Sequence, residues 1–146
     1  MRALRHIALS AFVCLSLAAP ASAQTPALAP TPAGAAVYII NPKDGDTLSS
    51  PFKVVFGLTG MGIAPAGVEK PNTGHHHLLI DTTLTADELK APIPSDDKHK
   101  HFGGGQTETM LTLPPGQHTL QLVLGDWNHV PHVPPVMSKP ITITVK

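Results

Sequence analysis

Phe52-Lys53-Val54-Val55-Phe56-Gly57-Leu58 decides the fold. Successive side chains of an extended chain point to opposite faces, so Phe52, Val54, Phe56 and Leu58 share one side and Lys53, Val55 and Gly57 the other. A strand with a single apolar face needs a second layer to cover it. Working outward, residues 37–40 form a β-branched and aromatic run closed by Asn41-Pro42 and the turn Lys43-Asp44-Gly45-Asp46. A Gly/Pro loop over 59–74 leads to a strand at 75–81, then to a polar stretch with one helical turn around 86–89. Residues 107–113 alternate again, Pro114-Pro115-Gly116 turns the chain, and His118, Leu120, Leu122 and Leu124 line one face of the next strand. The spacing predicts that this pair forms a hairpin. After a loop over 125–135, Ile141, Ile143 and Val145 share the face of a last strand. Twelve Gly and 16 Pro leave no window of helical length. The expectation is an all-β fold, an immunoglobulin-like antiparallel β-sandwich of about seven strands, with a small β-barrel as the alternative closure.

The chain opens with Arg2 and Arg5, an apolar run over 7–19, then Pro20 and Ala21-Ser22-Ala23, the three parts of a secretory signal. Residues 1–23 are read as a signal peptide, 24–34 as a Pro/Ala-rich leader and 35–146 as one sandwich domain. The expected location is the periplasm, and the apolar run is shorter than the roughly 20 residues a membrane span needs. Cleavage removes Cys14, the only cysteine, so disulfides, iron–sulfur clusters and cysteine nucleophiles are excluded from the mature chain. It also removes two of the ten Lys+Arg against ten Asp+Glu, which disfavours nucleic acid as a partner.

Eight of the nine histidines lie beyond residue 23, and seven of them fall in three groups: His75, His76 and His77; His99 and His101; His129 and His132. On a strand, His75 and His77 point to the same side about 6.6 Å apart, close enough for two imidazoles to lean onto one ion. His76 then packs on the opposite side with Leu78 and Ile80. His99-Lys100-His101 repeats the spacing, and Pro131, Pro134 and Pro135 stiffen the loop carrying His129 and His132. The candidate metal ligands are therefore His75, His77, His99, His101, His129, His132 and Met137. His118 is read as a hydrogen-bonded strand-end residue, Asp81 and Asp126 as turn residues able to orient an imidazole, and Met110 as a core gap-filler.

Imidazole without thiolate suits copper or zinc, calcium would want more carboxylates, and a thioether from Met137 would favour Cu(I). Protons compete for the same lone pair, so binding should weaken through the imidazole pKa of about 6.5. The expected role is a non-enzymatic metal-binding domain, with a periplasmic protein as a possible further partner and an unspecified oligomeric state. The rival is an envelope module recognising a protein, glycan or small ligand through imidazoles and Trp127. A metal-dependent hydrolase using Glu108 as base ranks last, since no Gly-x-Ser-x-Gly accompanies His101-Phe102-Gly103-Gly104-Gly105.

Four motifs, residues 41–46, His75-His76-His77-Leu78-Leu79-Ile80-Asp81, residues 101–108 and Leu124-Gly125-Asp126-Trp127-Asn128-His129-Val130-Pro131-His132, resemble the bacterial domain-of-unknown-function family numbered 4399. The resemblance spans 37–145 and implies no established activity. A weaker similarity, confined to the opening strand and its Pro-x-Asp-Gly turn, is to periplasmic copper-carrier sandwich domains and implies copper as the ion. Those domains use an N-terminal His ligand, whereas this mature chain is expected to begin near Gln24.

Overall fold

The computed structural model describes residues 27–146; the expected signal peptide lies outside the described residues. The strands are β1 (Ala36–Asn41), β2 (Thr47–Leu48), β3 (Phe52–Thr59), β4 (Gly62–Ile63), β5 (Thr73–Ile80), β6 (His99–His101), β7 (Glu108–Leu111), β8 (Gly116–Gly125) and β9 (Ile141–Val145). A 3-10 turn, Glu88–Lys90, stands where one helical turn was expected. β1, β3 and β7 form a three-stranded sheet in that order. The larger sheet runs β2-β9-β8-β5-β4, with β6 also paired to β5. Both sheets are open at their edges, which makes the fold a β-sandwich and not a closed barrel.

Period-2 alternation builds the core. Val37, Phe52, Val54, Phe56 and Leu111 of the small sheet meet Leu78, Ile80, Leu120, Leu122, Leu124, Ile143 and Val145 of the large one. Each fully buried leucine contributes about 2 kcal/mol from removed apolar area. β5 is buried on both faces, because Leu79 and Val123 pack outward against Leu84 and Ile93. The outward face of the larger sheet is thus roofed by connecting segments, and His75 and His77 share that face with Leu79.

Three expectations are corrected. The segments around β7 and β8 do not form a hairpin: β7 pairs with β3, and β8 pairs with β5 and β9. Pro114 and Pro115 have no N–H to extend a ladder, and the apolar sides of β7 and β8 bury themselves by facing each other across the sandwich. The sandwich is not wholly antiparallel: among the described residues it has nine strands, and the two-residue strands β2 and β4 pair parallel with β9 and β5. Met110 is 59% exposed on the outer side of the small sheet opposite Lys53, because its neighbour Leu111 takes the inward position.

Residues 29–31 run beside the last loop. Thr31 donates its backbone N–H to the Val133 carbonyl at 2.9 Å, and Val133 donates to Ala29 at 2.9 Å. Among the described residues no helix is long and apolar enough to cross a membrane.

Candidate metal centre

The larger sheet brings His75 and His77 together on its outward face, at the end where β5 begins and β8 ends. Both are 0% exposed, and their Nε2 atoms face each other at 3.0 Å. Without an ion, one ring's N–H donates to the other's lone pair. The Nδ1 atoms of both rings are buried without a partner, and each such orphan costs about 1–3 kcal/mol. A tetrahedral ion with metal–nitrogen bonds of ~2.0–2.1 Å sets its ligand atoms ~3.3 Å apart, a few tenths of an ångström from what the two rings already show.

β6 supplies the third ring. His101 pairs with His77 in antiparallel register, which puts both side chains on the same face. Ligand atoms of His75, His77 and His101 all lie within 4.8 Å of one another, so this triad could hold a metal ion. His129 comes from the loop after β8 and closes the group. All six ring-centroid separations among His75, His77, His101 and His129 lie between 4.8 and 6.0 Å.

The placement of His129 is built by Asp126. One Asp126 carboxylate oxygen accepts the backbone N–H of Asn128 at 2.8 Å and of Val130 at 2.9 Å, and the Asp126 carbonyl accepts from His129 at 3.0 Å. The tight turn drives His129 into the left-handed region at φ 69°, which costs a non-glycine residue about 1–2 kcal/mol. Such strain marks a constrained position. Two glycines make room for the rings: a Cβ on Gly125 would stand 2.9 Å from His77 Nε2, and one on Gly103 would overlap the His101 imidazole. The sequence flagged all four converging histidines and Asp126 but not the room that Gly103 and Gly125 make for the rings; a glycine two residues after His101 and another just before Asp126 were the available signal.

Burial first, then the neighbouring imidazoles of His101, His129, His76 and His132, pushes the His75 pKa down to about 4. Burial and then His75, His101, His129 and His76 push His77 down to about 2. His101 is lowered by burial and by His129. The triad therefore keeps its lone pairs free of protons at neutral pH, the state a metal ligand requires.

His99, Met137 and His132 are outside the converging triad, although His132 is near enough to act on His75. His99 hydrogen-bonds Asp96 at 2.9 Å through Nδ1 and stands opposite Leu79, two residues along from the triad. Met137 pairs with Val123 and packs on the small outward cluster of Leu79, Leu84 and Ile93. His132 is 2% exposed, with its Nδ1 unpartnered, and lines a cavity of about 350 Å³ with Asp126 and Trp127. His76 points into the sandwich, its ring 5.1 Å from Phe56 and its Nδ1 3.3 Å from the Gln106 carbonyl. His118 is hydrogen-bonded as expected: Nδ1 to Asp81 at 2.7 Å and Nε2 to the Pro114 carbonyl at 2.9 Å. With both nitrogens donating, its pKa is raised, chiefly by Asp81.

Comparison with known proteins gives one match: the family model of Domain of unknown function (DUF4399) aligns with residues 54–146. No curated protein matches the chain, and no solved structure does. The matched region holds His75, His77, His101 and His129, with Gly103, Gly125 and Asp126 that support them. The match covers well over half of the sequence, and the chain belongs to the DUF4399 family.

Proposed function

We propose that this chain is a periplasmic metal-binding domain that holds a copper or zinc ion on His75, His77 and His101, with His129 closing the set. The observation that carries the reading is the convergence of three ligand atoms within 4.8 Å, one from each of three imidazoles, two of which are 0% exposed. Among the described residues the Nε2 atoms of His75 and His77 have only each other as partners and the buried Nε2 of His101 has none, which a structural role alone does not account for. Imidazole donors and the lack of thiolate favour copper or zinc over calcium or magnesium.

The test is metal counting on the untagged mature chain after dialysis against each ion. One ion per chain is expected, lost in the His75→Ala, His77→Ala double variant while circular dichroism still reports strand. A chain that retains no ion at micromolar concentrations, with its thermal midpoint unmoved by either metal, overturns the reading. A second reading rests on Trp127, which is 41% exposed between cavities of about 350 and 460 Å³. A small-molecule ligand there would quench Trp127 fluorescence independently of metal.

A further inference from the structure

The triad carries no formal charge of its own when its rings are unprotonated. Its ligands are imidazoles, and burial and the neighbouring His129 lower the His101 pKa. Among the described residues the two buried rings also have no acceptor behind them, since the Nδ1 atoms of His75 and His77 are unpartnered. Metal-bound histidines usually donate that second N–H to a carboxylate or carbonyl, which makes the ring a stronger donor and offsets the charge of the ion. Asp126, the nearest acid in sequence to His129, spends one carboxylate oxygen on the backbone N–H groups of Asn128 and Val130.

An ion bound between His75 and His77 therefore meets no compensating formal charge from its ligands in a buried place. The cost of burying an ion grows with the square of its charge, so a divalent ion costs about four times as much as a monovalent one of similar size. Three coordinating imidazoles are enough for a monovalent d¹⁰ ion, which accepts low coordination numbers, whereas zinc on three protein ligands completes its shell with a fourth donor such as water. The fourth ring, His129, brings no compensating charge.

We propose that the site selects ions by charge and takes copper as Cu(I), in preference to Zn(II) or Cu(II). This rests on the metal-site reading above and goes beyond it by fixing the charge of the ion. His75, His77 and His101 form the site and His129 covers it. Met137, the thioether whose participation the sequence would have tied to Cu(I), is not needed.

The experiment is a competition on the purified full mature chain. Ag(I), a monovalent ion that does not change oxidation state, and Cu(I), held reduced by ascorbate without oxygen, are each challenged with Zn(II), and Ag(I) also with Cu(II). The wild type is expected to retain one monovalent ion against an approximately tenfold excess of Zn(II). The variants His129→Asp and His129→Asn then separate charge from ligand type, because the two side chains are near-isosteric and both tolerate a left-handed backbone. His129→Asp should raise the affinity for Zn(II) relative to Ag(I) at least about tenfold over His129→Asn. If wild type holds Zn(II) or Cu(II) as tightly as Ag(I), charge selection is overturned and the metal site stands. If the Asp and Asn variants show the same ratio, the charge argument is likewise overturned. If wild type retains no ion of either charge, the metal-site reading falls and this inference with it. Should neither variant fold, the wild-type competition alone decides.

Discussion

Lowering the pH from 7.5 to 5 should destabilise the metal-free domain, and two residues, His75 and His77, should carry a large share of the effect. His75 and His77 titrate at about 4 and about 2 in the folded chain, against about 6.5 for an unperturbed imidazole. At pH 7.5 neither the folded nor the unfolded state holds a proton on them. At pH 5 the unfolded chain is protonated at both positions and the folded chain at almost none. The unfolded state then binds more protons, so stability falls with pH; the loss begins below about 6.5 and continues toward the folded values. At pH 5 each ring contributes about 2 kcal/mol of loss, because 1.5 units separate the pH from the unfolded pKa. Together they remove about 4 kcal/mol, a large part of the roughly 5–15 kcal/mol that holds a domain together. With a urea slope of about 2 kcal/mol/M, the midpoint should move down by roughly 2 M. Urea denaturation followed by Trp127 fluorescence, in chelator, measures it. The His75→Gln, His77→Gln variant is the control, since glutamine does not titrate and the remaining groups are common to both proteins. Equal pH dependence in wild type and double variant would refute the argument.

Other outcomes follow from the same geometry. Gly125→Ala places a methyl group 2.9 Å from His77 Nε2 and should weaken metal uptake about tenfold while the domain stays folded, as read by equilibrium dialysis and circular dichroism. Asp126→Ala frees the N–H groups of Asn128 and Val130; a stability loss of about 1–3 kcal/mol is expected, with faster ion release because the turn holding His129 loosens. His118→Ala should cost more at pH 6 than at pH 8. The Asp81 hydrogen bond raises the folded pKa of His118, so its contribution is full below the unfolded pKa and is lost as pH rises through the folded one. Thermal midpoints of the two proteins at both pH values check this.

Retention of the ion under acid also changes from what the sequence suggested. An ordinary imidazole pKa predicts loss of metal near pH 6.5. Burial lowers all three triad rings, which moves proton competition to lower pH.

The sequence by itself determined the longer strands and their sides, but not the short strands β2, β4 and β6. Phe52, Val54 and Phe56 alternate inward as the pleat requires, and His75 and His77 share a face for the same local reason, two residues apart on an extended chain. The histidine groups named the donors, and the absence of any thiol beyond Cys14 narrowed the metals. Which strands became neighbours was decided only by the tertiary structure. β7 joins β3 instead of β8, because pairing depends on how two apolar faces find each other across the core and not on proximity along the chain. The same long-range choice put β6 beside β5, carried His101 and not His99 to His77, and left Met137 to pack with Leu79 and Ile93. Burial, which holds the rings neutral and leaves their Nδ1 atoms without partners, exists only once segments distant in sequence cover the outward face of the larger sheet.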